Sequence, residues 1–283
     1  MACYARWSGL SSSGMQVRFA ACGQCIGCRK EYARQWALRC THEAQLHEKN
    51  CFLTLTYAKP CFSLVYRDFQ IFIRALRRRA GRGIRFFMSG EYTKAGRPHF
   101  HACLFGFYPG DARFLRTTPS GFKLYTSQFL SKLWPHGYHS VGDVSTQSAG
   151  YVAKYVVKRF VGDDCKVTEI IDPDSGEIFK RVPEFARMSL RPGIGREWLR
   201  RFFTDVYPEG MCVIDGRKVR PPRYYDEIAR KRDAGGYMVR AAERRLESAK
   251  RFSELFPDRL ASREIVAVAG SSLFARPLGA FLT

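Results

Sequence analysis

Two short segments flanking one turn restrict this chain more than any other feature. Residues 84–91 (IRFFMSGE) and 98–107 (PHFHACLFGF) alternate in character, and Lys94, Ala95 and Gly96 between them supply turn chemistry. Successive side chains on a strand point to opposite faces. One face of the pair then carries Ile84, Phe86, Met88, Phe100, Ala102 and Leu104, which is a core face. The other carries Arg85, Ser89, Glu91, His99 and His101, with Phe87, Cys103 and Phe105 toward the far end. Such a pair is an antiparallel hairpin of a sheet whose second face reads as a working surface.

A hairpin centred on Ala95 sets Glu91 opposite His99, and directly opposed residues share a face. Glu91, His99 and His101 are therefore a candidate ligand set. Two imidazoles and a carboxylate with open positions suit a divalent ion such as Mg²⁺, Mn²⁺, Ni²⁺ or Zn²⁺. The alternative is a pair of histidines on a half-exposed strand.

The flanking pattern places this hairpin in a larger sheet. Cys51–Tyr57 (CFLTLTY) reads as a strand, and residues 66–80 as an amphipathic helix with Phe69, Phe72, Ile73 and Leu76 on one face. After the hairpin come a helix over 126–134, a strand over 138–144 and a helix over 147–160. The order β-α-β-β-α-β is the split βαβ pattern. It predicts an α+β fold with a ferredoxin-like or RRM-like antiparallel sheet and helices on one face. Residues 1–28 read as loop and Arg29–Glu48 as helix. Residues 168–179 read as a hairpin around Asp174–Gly176, the stretch to 225 as loop-rich, and 226–257 as charged helix. Four segments follow: a Cys-rich loop plus helix packed on the core (1–50), the sheet core (51–165), a loop-rich extension (166–225) and a charged helical tail (226–283).

The helix over 147–160 carries a second signal. At about 100° per residue, Tyr155, Lys154 and Lys158 lie within ~60° of Tyr151. Ala149, Val152, Ala153, Val156, Val157 and Phe160 fill the opposite arc. The tyrosines thus stand away from the packing stripe, as nucleophiles or as platforms for bases. A free phenol has a pKa of about 10 and needs activation to attack, from a metal-polarised phosphate or a nearby lysine. Two phenols one turn apart can act in turn.

Composition narrows the partner. Lys plus Arg is 47 against 26 Asp plus Glu, a formal charge of +21, which predicts a polyanion. No run approaches the ~20 apolar residues of a membrane span, and the first residues have no apolar secretion segment, so no membrane role is expected. Nucleic acid is the expected partner. Arg77, Arg78, Arg79, Arg82 and Arg85 cluster at the end of the first core helix, and Lys154, Arg159 and residues 217–223 add further charge. Trp134, Tyr138, Tyr224 and Tyr225 either stack on bases or pack.

The ten cysteines are expected to be reduced in a cytosolic protein. Cys22, Cys25 and Cys28 form C-x2-C-x2-C, a spacing that lets thiolates converge on zinc. Cys3 is the first choice for a fourth ligand, with Cys40, Cys51, Cys61 and His42 as others; buried or free thiols are the alternative.

In order, FLTLTY, HFH and YVAKYVVK resemble the three motifs of HUH endonucleases, the initiators of rolling-circle replication. The wider set CGQCIGCRKEYARQWALRC, SGEYTKAGRPHFHACLFGF, SAGYVAKYVVKR, RPGIGREW and PPRYYD resembles the replication initiators of gokushovirus-type phages of the microvirus family, over about residues 1–228. The resemblance implies a HUH core with a metal pair at His99 and His101 and an acidic third ligand at Glu91. It implies a tyrosine pair at Tyr151 and Tyr155 and a lysine at Lys158. The implied reaction is Mg²⁺- or Mn²⁺-dependent nicking of the phage origin, with a 5′-phosphotyrosine and a free 3′-OH, then joining to release circular single strands. The implied setting is the bacterial cytoplasm with host DNA polymerase and helicase; no GxxxxGK[ST] motif is present to supply a P-loop helicase. Two other readings are a non-enzymatic zinc-containing nucleic-acid binder and a metal-dependent hydrolase without a tyrosine intermediate.

Overall fold

The computed structural model describes residues 3–5, 7–10, 16–59, 61–93, 95–145, 148–150, 152, 168–171, 176–207, 209–214, 216–250 and 252–273. The chain divides into two compact units. One joins the N-terminal residues up to Gln35 with Leu199–Arg276; the other is built on Trp36–Trp198.

The Trp36–Trp198 unit is built on a sheet of seven strands, all neighbours antiparallel. Four of them are β3 (Asn50–Tyr57), β4 (Arg85–Tyr92), β5 (Pro98–Phe105) and β8 (Gly137–Gly142). Their order across the sheet is β4-β5-β3-β8, so β5 lies between the strands that helix α2 (Tyr66–Ala80) connects. This is the split βαβ arrangement expected from the sequence. Two additions extend it. The hairpin β6 (Arg113–Thr117) and β7 (Lys123–Thr126) continues the sheet beyond β8, and β11 (Phe185–Met188) pairs with β4 at the opposite edge.

One sheet face packs as predicted. Leu53, Leu55, Phe86, Met88, Phe100 and Leu104 form a core with Phe69, Phe72, Ile73 and Leu76 of α2 and Leu130 and Leu133 of α3 (Gln128–Leu133). Burying each of the large side chains contributes ~1.5–3 kcal/mol, which anchors α2 on the sheet. α2 stops at Gly81, whose φ of 125° no ordinary side chain tolerates and whose N–H returns to the Arg77 carbonyl. Trp134 closes the core end, its indole N–H donating to the Thr56 carbonyl at 3.0 Å.

The expectation of helices on one face alone is corrected. Helix α1 (Ile26–Ala44) covers the other face with its second half: Trp36 stacks on Phe87 with ring centroids 4.8 Å apart, and Cys40 is fully buried. The physical reason is the apolar content of that face. Phe87, Cys103 and Phe105 cannot be left in water at no cost, and all three are fully buried.

The other unit begins with a two-stranded sheet, β1 (Trp7–Leu10) with β2 (Gln16–Ala20), where loop was expected. Its C-terminal part holds helices Arg223–Arg232, Ala234–Ala249 and Pro257–Leu273. Asp233 caps the second of these through the Gly236 N–H at 2.9 Å, so the charged tail is a set of helices with defined ends. Residues 168–171 and 178–181 pair as the expected hairpin, β9 with β10. No described helix is long and apolar enough to cross a membrane.

Candidate active site

The turn between β4 and β5 decides which residues meet. The Thr93 N–H donates to the Arg97 carbonyl at 2.9 Å and the Gly96 N–H to the Thr93 carbonyl at 2.8 Å; Gly96 sits at φ 78°. This closure pairs Tyr92 with Pro98 and Glu91 with His99, the register anticipated from the sequence. Just before Glu91, Gly90 lies under aromatic rings: a Cβ there would approach Phe100 and Phe185 to 3.2 Å and Leu64 to 3.1 Å. The backbone that carries the carboxylate is thus pressed directly onto the core.

Glu91, His99 and His101 converge. His99 Nε2 is 3.7 Å and His101 Nε2 3.9 Å from Glu91 Oε2, and one ligand atom from each residue lies within 4.8 Å of the others. The two rings are nearly perpendicular, 84°, at 4.8 Å. An ion ~2.1 Å from each ligand atom would hold neighbouring ligand atoms ~3.0–3.4 Å apart. The two Nε2–Oε2 distances exceed this by ~0.3–0.9 Å, so the set would have to contract to hold one divalent ion.

Partners that sequence reasoning did not name orient these ligands. Thr54 Oγ1 is hydrogen-bonded to His101 Nδ1 at 2.9 Å, and Thr54 pairs with His101 across β3 and β5. His99 Nδ1 faces the Arg97 carbonyl at 3.4 Å, and the Ser89 hydroxyl donates to Glu91 Oε1 at 2.5 Å. With the Nδ1 positions engaged, both Nε2 atoms face Oε2, and outer partners of this kind fix the ring orientation of a ligating histidine. The signal was present: Thr54 and Ser89 lie in the same cross-strand row as His101, one in FLTLTY and one in SGE.

The site is buried rather than displayed. Glu91, His99 and His101 are 1%, 5% and 6% exposed. Burial pushes the Glu91 carboxyl above its usual range and the His101 imidazole well below its own, the latter reinforced by His99 beside it. Among the described residues no lysine or arginine pairs with Glu91.

The helix expected to carry the tyrosines starts with a reciprocal cap. The Ser145 N–H donates to Ser148 Oγ at 2.7 Å and the Ser148 N–H to Ser145 Oγ at 3.1 Å. Ala149 and Val152 are fully buried, in agreement with the apolar stripe, and a Cβ on Gly150 would meet Ala37 of α1 at 3.9 Å. Tyr151, Lys154, Tyr155 and Lys158, with Arg159, lie outside the described residues.

The arginine cluster is not beside the triad. Arg85 starts β4 and Glu91 nearly ends it, six residues at ~3.3 Å each, so about 20 Å separates them. Arg78, Arg79 and Arg82 are exposed. Arg85 is turned inward, its side chain 15% exposed, ion-paired to Glu43 and donating to the Pro192 carbonyl at 2.6 Å. Arg77 donates to the Ile84 carbonyl at 2.9 Å and lies over Phe86. Of the aromatics, Trp134 and Tyr225 are buried, while Tyr138 is 72% exposed on the triad's face of the sheet, in the row of His99 and Thr56.

In the other unit Cys3, Cys22, Cys25 and Cys28 come together, one ligand atom of each within 4.8 Å of the rest. Cys3 is thus the residue that joins the C-x2-C-x2-C segment. The other candidates are placed elsewhere: Cys40 and Cys51 are fully buried, Cys61 donates to the Ser63 carbonyl, and His42 stacks on Trp198 at 3.5 Å.

Comparison with known proteins accords with this arrangement. A model of the replication-associated protein family named for ORF2 matches residues 50–160, which span the sheet core and the triad. The replication-associated protein VP4 of Bdellovibrio phage phiMH2K is 33% identical over 241 residues, covering 80% of this chain and 72% of its own. The replication-associated protein ORF2 of Spiroplasma virus 4 is 30% identical over 251 residues, covering 81% and 74%. The replication-associated protein ORF4 of Chlamydia phage 1 is 29% identical over 222 residues, covering 74% and 53%. No solved structure matches the chain. With the relatives aligned across four fifths of its length, the chain belongs to the family of phage replication-associated proteins.

Proposed function

We propose that this protein initiates rolling-circle replication by cutting one strand of phage DNA with a tyrosine and later rejoining it. The observation that carries the reading is the convergence of Glu91, His99 and His101, with Thr54, Ser89 and the Arg97 carbonyl orienting them. These three residues would hold Mg²⁺ or Mn²⁺, which when bound polarises a non-bridging phosphate oxygen and eases attack at phosphorus.

The phenol oxygen of Tyr151 or Tyr155 attacks the scissile phosphorus. An O–P bond to tyrosine forms and the bond from phosphorus to the 3′ oxygen breaks. The 3′ oxygen leaves as a hydroxyl, taking up a proton, and the 5′ end stays on the protein as a phosphotyrosine. By the ~100° helical spacing read from the sequence, Lys154 and Lys158 fall within ~60° of Tyr151 and would place positive charge beside the phenol that must ionise. The free 3′-OH is the primer that a host polymerase extends, with strand separation by a host helicase in the bacterial cytoplasm. The second tyrosine then cuts the regenerated junction, and the released 3′-OH attacks the first phosphotyrosine. One phosphodiester forms, one tyrosyl ester breaks, and a circular strand is released without ATP. Arg78, Arg79 and Arg82, with Lys154, supply phosphate contacts, which makes binding salt-sensitive.

The test is incubation of supercoiled DNA carrying the phage origin with purified protein. Nicked circles that need Mg²⁺ or Mn²⁺ and a block at the 5′ end of the cut strand support the proposal. Cutting with a free 5′ phosphate that survives loss of both tyrosines replaces it with a hydrolase. Binding without any cut on a verified origin replaces it with a binding protein.

A further inference from the structure

The cysteine cluster is not used by the chemistry above, and its geometry stands independently of it. We propose that Cys3, Cys22, Cys25 and Cys28 form a closed tetrathiolate site for one zinc ion that ties the N-terminal strand pair to the start of α1.

Four observations carry this. First, the ligand atoms of all four residues lie within 4.8 Å of one another, and the Cys22 and Cys28 sulfurs are 4.0 Å apart. A tetrahedral zinc with Zn–S bonds of ~2.3 Å sets its sulfurs ~3.8 Å apart. Second, all four are free thiols, so the sulfurs have come together without a disulfide holding any pair. Third, backbone N–H groups are aimed at the sulfurs: Cys22 N–H at Cys3 Sγ (3.2 Å), Tyr4 N–H at Cys25 Sγ (3.3 Å), and Gln24 and Cys25 N–H at Cys22 Sγ (3.3 and 3.2 Å). Such donors stabilise sulfur that carries negative charge. Fourth, Cys25 and Cys28 bracket the first turn of α1, which begins at Ile26, and a helix N-terminus favours thiolate.

Four soft ligands with no position left for water describe a structural rather than a catalytic ion. The local need is evident. A two-stranded hairpin is marginal by itself in water. Cys3 precedes β1 and Cys22 follows β2, and Trp7 pairs with Ala20, so the four ligands clamp the open end of the hairpin to the helix.

The experiment measures metal in the full-length protein purified without chelator. About one tightly held zinc per chain is expected, lost in the Cys22→Ser/Cys25→Ser double variant and retained in the His99→Ala/His101→Ala double variant. Zinc that stays in the cysteine variant but leaves the histidine variant would assign the ion to the triad and overturn the proposal. Because the cysteine variant can fail to fold, the wild-type chain is also loaded with Co²⁺. Strong sulfur-to-cobalt charge transfer with intense tetrahedral ligand-field bands is expected. A weak octahedral spectrum, or a Cys22–Cys28 disulfide in protein kept under reducing conditions, overturns the site.

Discussion

Two buried glutamates of the sheet unit receive opposite treatment. Glu43, on α1, has its counter-charge supplied by the fold: Arg85 is ion-paired to it, the Gly195 N–H donates to it at 2.6 Å, and His47 is 3.7 Å away. Burial works to raise its pKa, but these partners outweigh burial and hold it below the ordinary carboxylate range. Glu91, near the end of β4, has two imidazoles and a serine hydroxyl instead, and burial prevails, pushing its pKa up. A carboxylate satisfied from within serves the fold. A carboxylate flanked by two imidazoles and a hydroxyl, with no lysine or arginine paired to it among the described residues, is a candidate for a positive charge from outside.

If that contrast is right, the two carboxylates fail in different ways. The largest effect is expected at the triad. His99→Ala, His101→Ala or Glu91→Gln removes a ligand of the polarising ion, an interaction contributing several kcal/mol at the transition state. Cleavage of an origin oligonucleotide should fall ~10³-fold or more, with DNA affinity and thermal stability nearly unchanged. Equal loss of stability and activity would erase the distinction from Glu43.

Glu43→Gln should show the reverse. Breaking a buried pair from one side costs about 3–5 kcal/mol, read as a lowered midpoint in denaturant, while the folded fraction still cuts at low temperature. The pH dependence gives the sign. Because the folded pKa of Glu43 is depressed, its contribution is complete above the ordinary Glu value and is lost as pH falls through the lower, folded value. The variant should therefore lose less stability than the wild type over that acid range.

Metal should separate the two sites further. Mn²⁺ at a hundredfold excess over its Kd stabilises a protein that binds it only when folded by ~2.7 kcal/mol. Its melting temperature should rise in the wild type and in Glu43→Gln, and stay fixed in Glu91→Gln. The smallest effect is expected for Thr54→Val, which removes the partner of His101 Nδ1 and should weaken metal affinity ~10–100-fold. A metal titration of cleavage rate measures it.

What could be read in advance followed from local rules. The Glu91–His99 pairing was legible because a short turn fixes register, and a one-residue slip would have turned Phe86, Phe100 and Leu104 away from the core. That the N-terminal helix packs on the core was legible, but not which face it covers: Trp36 precedes Phe87 by 51 residues and Cys40 precedes Cys103 by 63. Arg85 looks like its neighbours Arg78, Arg79 and Arg82 in sequence; only tertiary structure reveals that Glu43 claims it. β1–β2 and β6–β7 were missed for another reason. Their strands are four or five residues long, and β6 bears exposed Phe114 and Leu115, so neither alternation nor burial announces them. Of the candidate zinc ligands, Cys3 was one choice among several until the β1–β2 hairpin brought it back to Cys22.

The most direct test of the central claim is to locate the covalent bond. Protein is reacted with an origin oligonucleotide and Mn²⁺, the DNA is trimmed with nuclease, and the peptides are read by mass spectrometry. A nucleotide joined through phosphate to Tyr151 or Tyr155 is expected, absent when His99 and His101 are both alanine. A cut oligonucleotide with neither tyrosine modified, or an adduct that forms without the histidines, would contradict it.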